Sequence, residues 1–381
     1  MSWKTVTLGE ILPFKYGKGL PERVRSGTGE IEVFSSAGKV GTHNEAITSR
    51  ESVVIGRKGS IGTVYYCPDP VWPIDTSFYV EGSEEIDIRF AYYLLRTLPL
   101  AEMNNDSAVP GLNRSHAESL IVSLPSLSEQ VTIASRLGLI DSKIQSNLRA
   151  MELIENIGAA YLESELEFEG TSAPVFEKGT DLGQHLAVCE TGSRPKGGAS
   201  TDGAGVLSLG AESIQSAGVI RTKVWKTVPS DFADAMRRGH LQDEDVLVYK
   251  DGGKPGNFIP HVSAFGNGFP TTKAVINEHV FRVRAIEGFS QGLIYWMLRS
   301  GWMDIEMRMR GTGGAIPGLN SSNFKSLPWP KLSPAGTTKL NQSLSILLRK
   351  LLQFGVENQK LETLRDTLLP ELISGRMKAA S

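Results

Sequence analysis

The sequence predicts an α+β protein of two tandem globular domains, separated by long helices that pair as an antiparallel coiled coil. Three observations predict this fold class: an internal repeat, short β-rich runs beside glycine turns, and two long segments with a heptad pattern of apolar residues. At 381 residues the chain is too long for one ordinary hydrophobic core. At least two domains are therefore expected.

The clearest part of the repeat pairs residues 108–120 with residues 315–327. These segments, AVPGLNRSHAESL and AIPGLNSSNFKSL, are identical at eight of thirteen positions. Two weaker matches occur in the same order. LGE followed by Gly17 resembles LGQ followed by Gly192, and SVVIGRKGSIG resembles DVLVYKDGGKPG. Three ordered matches favour tandem duplication over chance.

Each copy also has the same predicted secondary structure. Residues 53–56 and 246–249 are short β-rich runs that lead into glycine turns, and residues 78–81 and 280–284 are further expected strands. An amphipathic helix is expected late in each copy, at residues 88–98 and 290–301. Strands mixed with one or two helices indicate an α+β domain. The expected domains are residues 1–126 and 171–333.

Two long spacer helices are predicted, over residues 127–170 and 334–381. Gly138 and Gly158 are weak points of the first helix, and Asn147 and Asn358 fall on the heptad seams, where a buried amide fixes register. The expected interface of the helix pair consists of Leu137, Ile140, Ile144 and Met151 on the first helix and Leu344, Leu347, Leu351, Asn358 and Leu361 on the second.

Charge favours pairing of these two helices with each other. Residues 126–170 hold three basic and eight acidic side chains, whereas residues 336–381 hold seven basic and four acidic ones. Opposite net charges on matching seams are complementary, although each exposed ion pair contributes little. The alternative is that each helix packs only on its own globular domain.

Composition limits the possible functions. The net charge of -2 disfavours a nucleic-acid partner, but residues 1–66 hold nine basic against six acidic side chains, so the total conceals a basic region. Cys67 and Cys189 are the only cysteines, which argues against a disulfide framework and fits a reducing cytoplasm. No apolar run approaches the ~18 residues of a membrane helix, and the first residues do not form a signal-peptide pattern.

Sequence patterns of catalysis are missing. The segment GGKPG lacks the spacing of a phosphate-binding loop, and GTGGAIPG lies in no strand–turn–helix unit. The six histidines are scattered, so neither a metal site nor a cofactor is expected in this chain. His116 is better explained as a loop or cap residue than as a base. The Asn/Asp-Pro-Pro-aromatic motif of DNA aminomethyltransferases does not occur.

Basic residues beside glycines are the candidates for contact with DNA. Glycine lets a backbone approach phosphates closely, and lysine or arginine neutralises their charge. Any one of these residues is equally well explained as solubilising charge, but their recurrence in corresponding turns favours DNA binding. The candidates are Lys15, Lys18, Arg23, Arg25, Lys39, Arg57, Lys58 and Arg114 in the first copy, and Arg194, Lys196, Lys250, Lys254, Arg308 and Arg310 in the second.

The ordered motifs resemble the specificity subunit of type I restriction–modification systems. The order runs from LGE, VVIGRKGSIG, PGLNRS and LPSLSEQ to LGQ, VLVYKDGG, PGLNSS and LPWPKLS, and ends in LETLRDTLLPELISGRM. The resemblance covers essentially the whole chain. The second copy has Pro334-Ala335 where the first has Glu129-Gln130, so the start of the second helix is left open.

This resemblance implies two target-recognition domains, each reading one half of an asymmetric bipartite DNA target. The long helices then set the spacer length and dock two methyltransferase subunits, and restriction subunits join the full complex. S-adenosylmethionine, ATP and magnesium are expected in those partners, and the chain in a prokaryotic cytoplasm. The alternatives are a non-catalytic bivalent protein-binding scaffold and an enzyme with an unfamiliar site.

Overall fold

The computed structural model describes residues 3–25, 29–103, 111–169, 173–221, 224–254, 257–311 and 317–378. It divides into two compact units. The first unit contains residues 1–143 and 361–381, and the second contains residues 144–360. Both long helices therefore contribute a segment to each unit. The α+β class with two repeated domains and long paired helices is confirmed.

The first unit is built around two small sheets. The four-stranded sheet has the order β2-β8-β5-β6, and the three-stranded sheet has the order β4-β3-β7 with β3 and β7 parallel; β1 pairs with β9. These elements are β1 (Lys4–Thr7), α1 (Leu8–Ile11), β2 (Lys15–Tyr16), β3 (Ile31–Ser35), β4 (Gly38–His43), β5 (Ser52–Gly56), β6 (Val64–Cys67), β7 (Trp72–Pro73), β8 (Ser77–Glu81), α2 (Ile88–Thr97), α3 (Arg114–Glu118) and β9 (Ile121–Leu124).

The first long helix and the second unit follow. The long helix is α4 (Leu127–Ser164). The second unit continues with β10 (Phe168–Glu169), β11 (Ala173–Pro174), β12 (Phe176–Asp181), β13 (Leu186–Thr191), β14 (Val206–Leu209), β15 (Ile214–Ser216), β16 (Val219–Ile220), β17 (Thr227–Val228), α5 (Ser230–Ala235), β18 (Val246–Tyr249), β19 (Gly253–Lys254), β20 (Asn257–Phe258), β21 (His261–Ala264), β22 (Ala274–Ile276), β23 (Val280–Ala285), α6 (Gln291–Arg299), α7 (Gly301–Met309), α8 (Ser321–Lys325), β24 (Pro328–Pro330) and α9 (Pro334–Ile373).

The second unit repeats the sheet topology of the first. Its four-stranded sheet has the order β13-β23-β18-β21, its three-stranded sheet has the order β17-β14-β22 with β14 and β22 parallel, and β12 pairs with β24. The main chain is joined in the same way, because the N–H of Leu8 donates to the carbonyl of Leu120 and that of Leu182 to Leu327, each at 2.8 Å. The tandem duplication predicted from the sequence is confirmed.

Two glycines of the repeat occupy equivalent tight places. A Cβ atom on Gly17 would lie 2.2 Å from the carbonyl oxygen of Ile74, and one on Gly192 would lie 1.6 Å from that of Ile276. No side chain fits at such distances without moving the backbone. These glycines fix the path of β2 and β13 past the adjacent sheet in both units.

The core of each unit joins its four-stranded sheet to a short helix and to the long helices. In the first unit, α2 buries Phe90, Leu94 and Leu95 in the same cluster as Leu137 of α4 and Leu369 of α9. In the second unit, α6 is buried almost throughout and packs in one cluster with Met151 and Leu344. Burying this apolar surface is what holds the long helices in each unit.

The long helices begin at Leu127 and Pro334 and end at Ser164 and Ile373, earlier than the expected boundaries at residues 170 and 381. Pro334 begins α9, which suits proline because the first helical residue needs no N–H donor. The hydroxyl of Ser333 accepts the N–H of Gly336 at 3.0 Å. The helix α4 ends at Ser164, where the N–H groups of Glu165 and Leu166 bond back three residues and a short strand follows.

Segments of α4 and α9 pair in antiparallel orientation. In the second unit Asn147 donates to Asn358 at 2.8 Å, and Lys339 contacts Glu165 at 3.2 Å, so the numbering runs in opposite directions. In the first unit Arg365 contacts Asp141 at 2.8 Å. Within the described ranges, no helix is long and apolar enough to cross a membrane.

Candidate nucleic-acid interface

The turn after β5 brings together the first group of candidate residues. The carbonyl of Arg57 accepts the N–H of Leu112 at 2.8 Å, and Lys58 forms a β-bridge with Gly111. Gly111 and Leu112 of the repeated PGLN segment are thereby held against the GRKG turn. These contacts place Arg57, Lys58 and Arg114 in one region of the first unit. The sequence does not reveal this proximity, because the residues are far apart along the chain.

Tyr16 lies at the centre of this region. This residue is 54% exposed, and the guanidinium carbons of Arg57 and Arg114 lie 5.0 Å and 5.9 Å from the centroid of its ring. Such distances are those of cation–π contacts. The sequence pattern did not single out Tyr16; the only signal was an aromatic residue within the YGKG turn.

Both guanidinium groups are oriented by hydrogen bonds to the protein. Nη1 of Arg57 donates to the carbonyl of Asp75 at 2.9 Å, and Nε of Arg114 donates to Glu118 at 2.9 Å. Glu118 itself accepts the backbone N–H of Phe14 at 2.7 Å. Each arginine has five N–H donors, so one such bond fixes its direction without exhausting its capacity.

The other candidates of the first unit have different surroundings. Lys15 contacts Glu81 at 2.7 Å, and Lys39 contacts Glu32 at 2.5 Å. Arg25 folds back onto the carbonyl of Leu20. The remaining two are Lys18, whose ammonium lies 5.7 Å from the ring of Trp72, and Arg23, which is exposed in the short 3₁₀ turn Glu22–Val24.

The turn after β18 is the equivalent place in the second unit, and its chemistry differs. Lys250 contacts Asp251 at 2.8 Å, and Nδ1 of His279 lies 2.8 Å from the same carboxylate. Beside them, Arg194 contacts Glu278 at 2.6 Å. Two of the predicted cations are thus paired with carboxylates that the sequence pattern did not single out.

The remaining candidates of the second unit are dispersed. Arg308 and Arg310 lie on and at the end of α7, where each pairs with a carboxylate one helical turn earlier, Asp304 and Glu306. Lys254 is exposed on β19, and Lys196 is exposed in the loop after β13. Exposed ion pairs contribute little free energy, so phosphate can compete for these cations.

The predicted helix-interface residues differ in burial. Leu137, Ile144, Met151, Leu344, Leu351 and Asn358 are buried, whereas Ile140, Leu347 and Leu361 are half-buried. The fully buried neighbour of Leu347 is Leu348. Leu347 also packs against the core cluster of the second unit, so α9 buries a wider stripe than the strict heptad alone.

The amide pair on the helices is well matched. Nδ2 of Asn147 donates to Asn358 at 2.8 Å and to Glu357 at 2.9 Å, while Nδ2 of Asn358 lies 4.0 Å from the sulfur of Met151. In the first unit, burial opposes the charge of Arg365, but its bonds to Asp366 and Asp141 outweigh that effect and raise the pKa of the guanidinium. Arg365 therefore remains charged although it is largely buried.

In the residues that the structure describes, no group of three or more His, Cys, Asp or Glu side chains is arranged to hold a metal ion. Burial raises the pKa of the Cys67 thiol to about 12, which makes it a poor nucleophile. The GTGGAIPG segment lies partly outside the described residues.

A family model matches the first part of the chain. Residues 1–156 match the type I restriction modification DNA specificity domain. A curated relative, the type I restriction enzyme EcoDI specificity subunit of Escherichia coli, is 27% identical over 170 residues. That alignment covers 44% of this chain and 38% of the relative, so it spans well under half of the relative's length.

A solved structure matches nearly the whole chain. The S subunit of a type I restriction-modification system from M. genitalium is similar with a TM-score of 0.62, over 98% of this chain and 96% of that one. The sequence identity is 16%, so the likeness is one of fold. The two chains therefore share their overall fold across that length.

Proposed function

Because residues 1–156 match the type I restriction modification DNA specificity domain, we propose that the chain selects a DNA target for partner subunits. Each unit reads one half of an asymmetric bipartite sequence in double-stranded DNA. The chain itself is non-catalytic and works in a prokaryotic cytoplasm. Methyl transfer, and cleavage in the full complex, are supplied by methyltransferase and restriction subunits.

One observation carries this proposal: the two units share a frame but differ in the side chains of equivalent turns. Arg57 and Lys58 beside Gly111 correspond to Lys250 and Asp251 beside Gly318. A conserved frame with different polar groups presents different hydrogen-bond patterns to DNA. Such a protein recognises two different half-sites, which is a bipartite and asymmetric target.

The long helices support the second part of the proposal, docking of two methyltransferase subunits. Leu153 and Ile157 of α4 are 59% and 46% exposed, and Ile346 of α9 is 64% exposed. Leu153 and Ile157 lie one helical turn apart, and neighbouring exposed apolar side chains are a mark of protein–protein contact. Their position on helices of fixed length fits a role in setting the DNA spacer.

The test combines binding with methylation. The chain, expressed with its methyltransferase partner, is expected to bind duplex DNA with an affinity that falls steeply as salt rises. Sequencing methylated adenines in a host with and without the chain is expected to reveal one split motif that depends on it. Absence of salt-sensitive duplex binding contradicts the proposal and leaves a protein-binding scaffold. Methyl transfer by the isolated chain contradicts its non-catalytic part.

A further inference from the structure

Resting on the proposed function, we propose that Tyr16, Arg57 and Arg114 form a guanine-reading cluster that the second unit lacks. The three side chains come from separate elements, the edge strand β2, the turn after β5 and the first turn of α3. Both guanidinium groups lie within 6 Å of one exposed ring, at 5.0 Å and 5.9 Å. Because the three side chains come from separate elements, the fold brings them together; they are not neighbours along the chain.

The strand register identifies the equivalent residues of the second unit. Tyr16 is opposite Phe78 in the β2–β8 pair, and Thr191 is opposite Phe281 in the β13–β23 pair. Phe78 pairs with a residue of β5, and Phe281 pairs with the equivalent residue of β18. Thr191 therefore occupies the place of Tyr16.

The two arginines are replaced as well. Lys250 takes the place of Arg57, because its carbonyl accepts the N–H of Leu319 at 2.7 Å just as the Arg57 carbonyl accepts that of Leu112. Ser321 takes the place of Arg114, because each follows an asparagine that caps its helix, Asn320 or Asn113. The second unit thus has a lysine beside Asp251 where the first has two arginines around a ring.

The chemistry of the two places is therefore different. A guanidinium group presents parallel N–H donors that match O6 and N7 of guanine, whereas a lysine ammonium is a point charge. Tyr16 restricts both guanidinium groups from one side, and Asp75 and Glu118 fix their directions. This preorganisation suits readout of a base edge, since phosphate contact needs charge but little orientation.

The test exchanges the guanidinium fork for a point charge and keeps the net charge. In the complex with its methyltransferase partner, Arg57→Lys and Arg114→Lys are expected to relax recognition of guanine in one half of the methylated motif, with roughly ten- to hundred-fold less discrimination. The other half and the spacer stay unchanged. Tyr16→Ala is expected to relax the same half, and Tyr16→Phe to retain recognition.

A matched control is Arg89→Lys, which alters another guanidinium–tyrosine pair of the first unit. Arg89 donates to the hydroxyl of Tyr66 at 2.9 Å and lies 5.7 Å from its ring, away from the cluster. This variant is expected to keep the parental motif. Thermal unfolding of every variant identifies any that fail to fold, and the milder Tyr16→Phe and lysine variants keep the test open in that event.

Failure of this inference is distinguishable from failure of the proposed function. If the parental complex methylates a bipartite motif and the lysine variants methylate the same motif with unchanged discrimination, the cluster contacts phosphates at most and the inference is overturned. Relaxation in both halves also overturns it. If the parental complex has no sequence-dependent methylation, the proposed function fails first.

Discussion

Gly158 shows how one residue of a long helix is determined by a distant part of the chain. A Cβ atom at this position would lie 2.1 Å from Cε2 of Trp296, whose indole N–H donates to the carbonyl of Glu155 at 3.2 Å. The heptad pattern treats this glycine as a weak point of the helix. The structure explains it as the space into which the α6 tryptophan packs.

Substitution of the two α4 glycines is expected to have opposite effects. Gly158→Ala forces the tightly packed Trp296 to move and is expected to destabilise the second unit by about 1–3 kcal/mol. Gly138→Ala is the control, because its Cβ would lie 3.9 Å from the hydroxyl of Tyr93, an ordinary contact. Alanine there is expected to stabilise the helix by up to about 1 kcal/mol. Denaturant unfolding measures both, and equal effects would show that the close contact is not decisive.

His261 makes the stability of the second unit depend on pH. Burial lowers the pKa of this side chain below its ordinary value of 6.5, against the opposing hydrogen bond to the carbonyl of Ile214. The ring also stacks on Tyr249 at a centroid distance of 5.1 Å. As pH falls below 6.5, the unfolded chain takes up the proton first, so stability present above that pH is lost as pH falls through the lowered pKa.

Replacing this histidine is expected to weaken the pH dependence. His261→Phe retains a ring on Tyr249 but has no proton to gain, so the free energy of unfolding should change less between about pH 7.5 and about pH 5.5. Burial lowers the pKa of His185 too, so some dependence remains in the variant. Urea unfolding at the two pH values measures it. An unchanged pH slope would mean that His261 is protonated equally in both states.

At the scale of elements, the sequence predicts the positions of those helices and strands that have a clear local pattern of apolar residues. The strands β5 and β18, the helices α2 and α6 and the starts of both long helices agree with the predicted positions within a residue or two. The ion pairs of candidate DNA-binding residues could not be predicted, because Glu81 and Glu278 are brought to Lys15 and Arg194 only by the fold. The same limit applies to Tyr16, whose arginine neighbours come from other elements.

The register of α9 gives a direct test of how wide the buried stripe of this helix is. Leu348 has no exposed surface, whereas the predicted Leu347 is half-buried. Leu348→Ala is expected to cost about 2–5 kcal/mol of the free energy of unfolding, and Leu347→Ala about 1 kcal/mol. Both variants make the same chemical change one residue apart. Similar costs in denaturant unfolding would favour the strict heptad over the wider buried stripe.

At the scale of the whole molecule, the sequence reveals the duplication but not which segments of the chain form each compact unit. The expected boundaries place each long helix in a segment of its own, whereas each compact unit includes parts of both helices. The division occurs after Lys143 on α4 and after Lys360 on α9. No local pattern marks these points, because the heptads continue through them.

These two points are the natural places to test the spacer role of the helices. Inserting one heptad at both points adds about 10 Å of helix, which corresponds to about three base pairs of DNA. The methylated motif is expected to keep both half-sites and to gain a longer spacer. A heptad in α4 alone is the control, because it disturbs the match of the two helices. An unchanged spacer in the double insertion would refute the proposed role in spacing.

The discontinuous first unit has a consequence for synthesis on the ribosome. Its core includes Leu369, Leu372 and Ile373 of α9, whereas the second unit is continuous from residue 144 to 360. Translation thus delivers every residue of the second unit before the first unit receives its last apolar side chains. The nascent first unit exposes the surface that these side chains cover, and chaperones that bind apolar segments have their longest opportunity there.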